Sequence, residues 1–196
     1  MTESRTMYVL NSRSLEINKK EVLGYLRVKE SNDQIDALID ECIEQIYETA
    51  SPRAVYIETK VDILDDLISF DFMSVKSHSL AINLKGCSRA YVFGATLGLE
   101  VDRLIDKYSK ILQSKASVLH AVGSALIESL CDYVNRALIE GKCCARRFSP
   151  GYGDLSLECQ CDVIRALDAQ RKIGITLSDS LLMSPSKSVT AIIGIK

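Results

Sequence analysis

The sequence predicts an α+β fold in which a long central helix packs with an antiparallel or mixed β-sheet. Three observations carry that expectation. Residues 114–139 form the longest stretch with helical spacing of apolar positions. Runs rich in β-branched and aromatic residues recur at 54–59, 89–97 and 188–195. Helices and strands are interspersed without the regular alternation that a doubly wound parallel sheet requires.

Taken in order, Met7-Tyr8-Val9-Leu10 reads as a short strand. Residues 18–28 place Val22, Leu23 and Leu26 on one helical face, with Asn18 suited to accept from the first free backbone N–H groups. Residues 32–50 repeat the pattern, with Ile35, Leu38, Ile39, Cys42, Ile43 and Ile46 at steps of three and four, and Ser51-Pro52 stops the helix. A strand follows at 54–59, then a short helix at 77–84 ended by Gly86 and a buried strand at 89–97. Residues 99–112 are helical, with Val101, Leu104, Ile105 and Tyr108 inward.

The helix at 114–139 carries two faces. Val118, Val122, Leu126, Leu130, Tyr133 and Ala137 form an apolar stripe, and Ala121, Ser124, Ala125, Glu128, Cys131 and Asn135 form a second stripe of small and polar groups. The second stripe permits close approach, either of another backbone or of a ligand. A further helix is expected from about residue 155 to 170, and the chain closes with Ile173-Gly174-Ile175-Thr176-Leu177 and a strand at 188–195.

The 196 residues carry 24 Lys+Arg against 26 Asp+Glu, a net charge of −2, with 47% hydrophobic and 26% charged residues. That balance belongs to folded soluble chains. A chain of this length buries roughly 70% of the surface its unfolded form exposes, so one substantial core needs neither disulfides nor metals. Near-neutral charge argues against a nucleic-acid partner, which calls for a basic surplus on one face. No apolar run reaches the roughly 18 to 20 residues that span a bilayer, which argues against a membrane partner, and residues 1–6 begin no signal peptide. A cytoplasmic location is the expectation. The seven cysteines are odd in number and are expected to be reduced thiols. Adjacent Cys143-Cys144 and alternating Cys159 and Cys161 lack the spacing of a zinc site, so no metal is expected.

Residues 146–154 are the most informative stretch. Pro150-Gly151 suits the central positions of a type II turn, because proline presets the first torsion and glycine accepts the positive one. Ser149 and Tyr152 then flank a rigid corner, Gly153 allows a second close approach of backbone to a ligand, and Asp154 is placed to cap the helix that follows. Arg146 and Arg147 precede the corner, and a guanidinium offers a planar fork to carboxylate or phosphate. A solvated loop with a structural turn is the other reading of the same residues. Other catalytic templates are missing. His78 and His120 lack a helical metal-site partner, and Gly123-Ser124 lacks the second glycine of a nucleophile elbow.

The run Arg147-Phe148-Ser149-Pro150-Gly151-Tyr152 resembles the Arg-x-x-x-Gly-Tyr signature of the S-adenosylmethionine-binding reactivation domain of cobalamin-dependent methionine synthase. Leu126-Ile127-Glu128, Lys85-Gly86-Cys87, Thr96-Leu97-Gly98, Ile173 to Leu177 and Met183 to Val189 resemble further pieces of that domain. The likeness runs from about residue 77 to 194. It divides the chain into an N-terminal α/β segment, 1–76, and a reactivation-domain-like core, 77–196, within one compact domain.

The resemblance implies a stand-alone reactivation subunit that binds S-adenosylmethionine and docks on a separate corrinoid-binding methionine synthase core. There it would support reductive remethylation of cob(II)alamin with an electron from flavodoxin or a similar donor. Carried onto matching positions, Arg147 would hold the ligand's carboxylate and Glu128 would face its ammonium or cationic end. Ser149 would supply backbone hydrogen bonds, Gly151 would permit close approach, and Tyr152 would stand beside the reacting methyl group as the catalytic position. The chain departs from the family after Tyr152, where Gly153-Asp154-Leu155-Ser156-Leu157 replaces a Pro-Ala-Cys-Pro-type sequence. The Asp-x-His-x-x-Gly motif of the lower cobalamin ligand is absent, so cobalamin would come with the partner. A non-catalytic scaffold or regulatory module of the same fold, reading another small anion or a protein partner, is the alternative.

Overall fold

The structure is a computed structural model that describes residues 5–196. Its centre is one antiparallel sheet in the order β4 (Ser74–Lys76), β3 (Leu67–Phe70), β2 (Arg53–Leu64), β5 (Arg89–Thr96), β8 (Ser188–Ile195), with β1 (Thr6–Val9) also paired to β2. A small ribbon of β6 (Thr176–Leu177) and β7 (Met183–Ser184) stands apart. The expected α+β class is found, and the sheet is antiparallel rather than mixed.

Helices cover both faces of the sheet. The period-two alternation of β5 decides which residue serves which face. Tyr91, Phe93 and Ala95 point into a core shared with α1 (Lys19–Leu26), α2 (Asp33–Thr49), α4 (Leu99–Ser109) and α5 (Gln113–Ile139). Ala90 and Val92 point the other way, into a core shared with α3 (His78–Asn83), α6 (Gln160–Leu167) and α7 (Ala169–Ile173). This is why 89–97 reads as an unbroken apolar run: neither face of the strand meets water. Residues 53–60 of β2, from the N-terminal third, pair with the whole of β5.

The 27 residues of α5 span about 40 Å. On its expected apolar stripe Val118, Val122, Leu126 and Leu130 are buried, Tyr133 is half-buried and Ala137 is exposed. The second stripe divides. Ala125 and Cys131 belong to the core, whereas Ser124 and Glu128 are half-exposed.

Two elements differ from expectation. The strand expected at 54–59 continues to Leu64 and turns into β3 and β4, a hairpin the sequence reading omitted. Its turn, Leu64-Asp65-Asp66-Leu67, places Asp65 at φ +54. Tight hairpin turns of this kind are announced by glycine or asparagine, and Asp-Asp carries neither signal. The helix expected over 155–170 is broken, because Asp168 adopts φ +53 between α6 and α7.

Candidate functional site

Residues 143–149 run beside β8 without forming a regular strand. Ala145 N–H donates to the Gly194 carbonyl at 2.8 Å, and Phe148 exchanges hydrogen bonds with Ile192 at 2.9 and 2.7 Å. These contacts fix the backbone on either side of Arg147. The type II turn then forms as expected: Tyr152 N–H donates to the Ser149 carbonyl at 3.0 Å, and Gly151 takes φ +86. Gly151 N–H is itself spent on the Leu155 carbonyl at 3.0 Å. The requirement for glycine there is therefore torsional, since an added Cβ would meet only Leu157 at 3.5 Å.

Asp154 does not cap the helix that follows it. Its carboxylate reaches across the fold to the start of α3, where Oδ1 accepts from Ser77 Oγ at 2.7 Å and from Ser79 N–H at 3.0 Å, and Oδ2 accepts from His78 N–H at 2.8 Å. Spacing along the chain suggested the nearer helix; the carboxylate instead satisfies orphan donors 75 to 77 residues away. The Ser77 hydroxyl and these two N–H groups hold the Asp154 carboxyl well below the usual carboxylate range. Gly153 is also needed for this clamp. At φ +55, a Cβ there would come 2.6 Å from Ser79 Oγ.

The corner so fixed presents Arg147 to α5. Arg147 Nη2 donates to Glu128 Oε2 at 2.6 Å, and Nη1 lies 3.4 Å from Asp132 Oδ1. The second contact is a long hydrogen bond, and with two of its five N–H donors so engaged the guanidinium retains donor capacity. Two carboxylates one helical turn apart thus face one guanidinium, and these three groups together carry an excess of one negative charge. Tyr152 is 59% exposed, with its ring edge-on to Phe148 at 6.1 Å.

Sequence reasoning missed Tyr25. It projects from α1, half exposed, and burial together with the nearby charges of Glu128 and Glu21 and the Tyr152 phenol raises its pKa. Its signal was available as an aromatic on the polar side of a helix whose inward residues are Val22, Leu23 and Leu26. Tyr25 also heads a groove of about 500 Å³ between α1, α4 and α5. Ala121 and Ser124 line that groove, so part of the small-residue stripe faces open space.

The expected site residues therefore stand as follows. Arg147 and Glu128 are in contact, Ser149 and Gly151 frame the turn beside them, and Tyr152 is displayed on its rim. The cysteines lie elsewhere or are buried. All seven are free, and burial pushes Cys42 and Cys159 up to about 11 and Cys131 up to about 12. Among the described residues no group of three or more His, Cys, Asp or Glu is placed to hold a metal ion, and no helix is long and apolar enough to cross a membrane.

No known family's sequence pattern matches the chain, and no curated protein matches it. Solved structures do. A crystal structure of the MetH reactivation domain bound to AdoHcy superposes with a TM-score of 0.75 at 14% identity, covering 98% of this chain and 78% of that one. The chain has the fold of a MetH reactivation domain. At this identity the likeness concerns backbone architecture, including the antiparallel sheet and the long helix. The contacts of Arg147, Glu128, Tyr152 and Tyr25 are properties of this chain's own geometry.

Proposed function

We propose that the chain binds S-adenosylmethionine at the Arg147 corner and serves as the reactivation subunit of a separate corrinoid-dependent methionine synthase or related methyltransferase. The observation that carries this reading is the surplus carboxylate beside Arg147, set on a fold shared with a domain crystallised with AdoHcy. S-adenosylmethionine brings an ammonium, a sulfonium and a carboxylate. Glu128 and Asp132 together offset the two cationic centres, and the N–H donors of Arg147 not spent on them are available to the carboxylate. The Ser149 backbone and the turn at Gly151 give the ligand a rigid wall. Tyr152, displayed outward, stands where a methyl group can be passed to a partner.

In this reading the chain's own work is capture and orientation. A sulfonium loses its charge when its methyl leaves, so carboxylates favour the charged donor over the neutral thioether product and assist exchange of one for the other. Aromatic rings at Tyr152 and Tyr25 offer favourable faces to the same cation. The corrinoid, carried by the partner protein in the cytoplasm and reduced by flavodoxin or a similar donor, supplies the methyl acceptor.

Isothermal calorimetry with S-adenosylmethionine tests the proposal. The native chain should bind and Arg147→Ala should bind at least tenfold more weakly, the loss of a charge-assisted contact. Absence of binding both alone and with a corrinoid partner would discard the reading and leave the scaffold or regulatory module.

A further inference from the structure

Lys187, on the stretch joining β7 to β8, is buried at 5% exposure. Its stem packs against α5 at Gly123, where an added Cβ would come 3.2 Å from Lys187 Cε. Nζ donates to Ser124 Oγ at 2.9 Å and lies 3.3 Å from both ring nitrogens of His120. A neutral imidazole has one in-plane lone pair, so a donor equidistant from both nitrogens is aligned with neither. The ammonium therefore has one good hydrogen bond, to a hydroxyl that in turn donates to the His120 carbonyl at 3.0 Å.

An ammonium buried among neutral partners is under-compensated. Burial pushes Lys187 down to about 8, and burial together with Lys187 lowers His120. The carboxylate that opposes this, Asp102 of α4, is committed to Ser186, accepting from its N–H at 2.7 Å and its hydroxyl at 2.6 Å.

Two cavities meet at His120 and Ile105. The smaller, about 240 Å³, is lined by Asp102 and Asp106 and repels anions. The larger is the 500 Å³ groove headed by Tyr25. Among the described residues no acidic side chain lines it, and Ser109, Gln113 and Ser117 add uncharged hydrogen-bonding groups. Its apolar wall comes from Leu26, Ile105 and Ala121. Charge complementarity thus directs an anion into one cavity and away from the other.

We propose that His120 and Ser124, which line this groove, together with Lys187 buried directly behind them, form an oxyanion site that takes a small organic molecule bearing a carboxylate or phosphate. The anionic group meets Lys187 Nζ and a His120 ring N–H, and the apolar body lies on Leu26, Ile105 and Ala121. Nζ touches two residues that line the groove and does not line it itself, so the exposed His120 ring must change rotamer for the ammonium to meet the ligand. Binding an anion favours the charged forms of Lys187 and His120, and by linkage their protonation favours the anion. Affinity should fall as pH rises through about 8, the value at which Lys187 loses its proton. The other titratable groups facing this site are Asp102 and Asp106 from α4 and Tyr25 from α1, whose raised pKa keeps it neutral there. The site is independent of the S-adenosylmethionine reading.

The chain holds two histidines, so the imidazole NMR signals of His120 are assigned by comparison with His78→Asn. Inorganic phosphate and acetate are titrated separately at millimolar concentrations. His120 and not His78 should shift saturably with at least one, and which one responds identifies the anionic group. Lys187→Met should weaken the response at least tenfold while S-adenosylmethionine binding is unchanged. No saturable movement with either anion, or an equal affinity in folded Lys187→Met, overturns the proposal. Should that variant not fold, an affinity in the native chain that does not fall through pH about 8 overturns it equally.

Discussion

Two regions on one side of α5 handle charge in opposite ways. Near its C-terminal half, Arg147 meets two carboxylates, Glu128 and Asp132, and the three groups together keep surplus negative charge near solvent. One turn N-terminal to Glu128, Lys187 is buried against Ser124 and His120 and carries surplus positive charge. Ser124 and Glu128 are four residues apart, so both regions share one helical face. An arginine with a carboxylate on each side is a poor receptor for a simple anion, and a lysine with neutral partners is a poor receptor for a cation. The contrast assigns ligand charge more firmly than the identity of either basic residue does.

The largest expected effect breaks the acidic side of this contrast. Glu128→Gln keeps the shape of the Arg147 contact and removes one negative charge. S-adenosylmethionine should bind roughly a hundredfold more weakly, the worth of a charge-assisted contact to a cation, whereas S-adenosylhomocysteine, lacking the sulfonium, should lose less. Calorimetry with both ligands decides it. Equal losses would show that the corner does not sense the sulfonium charge.

Much of this architecture is legible in the sequence because it rests on period and turn chemistry. The apolar steps along 32–50 and 114–139, the unbroken run at 89–97 and the Pro150-Gly151 turn each follow from a local rule. Arg147 and Glu128 were each singled out through family resemblance as ligand contacts; that they pair with each other was not, and depends on how residues 143–149 lie along β8. What stayed hidden is non-local. Asp154 caps α3 rather than its own neighbour, since spacing cannot reveal which helix N-terminus folds within reach. Lys187 lies in the Met183 to Val189 run that resembles the family, but nothing in that run marks it as buried, because its burial comes from packing on Gly123. Tyr25 is signalled only as an aromatic on a polar helix face, and what it faces is not legible until α5 is placed opposite.

The basic side of the contrast is tested by stability. Lys187→Met keeps an unbranched stem against Gly123 and removes the buried charge. Because Lys187 sits at about 8 rather than its unfolded value near 10.4, the unfolded chain holds the extra proton between those values, and native stability should rise with pH across that window. The variant should lack this rise and be more stable than the native chain by about 2 kcal/mol at neutral pH, the difference shrinking as alkali neutralises the lysine. Denaturant melts at several pH values measure it. A destabilised variant would show that the Ser124 hydrogen bond outweighs the cost of burial.

A smaller effect concerns the clamp that holds the acidic corner in place. Asp154 is depressed below its ordinary value, so its ionised form contributes stability that is complete above about pH 4 and is lost as pH falls toward the lower folded value. Asp154→Asn should lower the melting temperature at neutral pH, and the gap to the native chain should close on acidification. It should also weaken S-adenosylmethionine binding by loosening the turn while leaving the His120 anion response intact. Loss of both responses would mean that the clamp supports the whole helical face rather than the corner alone.

The smallest effect lies at the residue the two regions share. Tyr25 stands near Glu128 and Tyr152 and also heads the groove that leads to His120. If its ring serves the sulfonium, Tyr25→Phe should leave S-adenosylmethionine affinity within about twofold, while Tyr25→Ala should weaken it roughly threefold, the scale of one exposed cation–π contact. Phosphate and acetate, held by Lys187 and His120 rather than by the Tyr25 ring, should be indifferent to either change. A drop with Tyr25→Phe equal to that with Tyr25→Ala would assign the role to the hydroxyl. An altered anion response in Tyr25→Phe would show that the two charge regions are coupled through α1 rather than separate along α5.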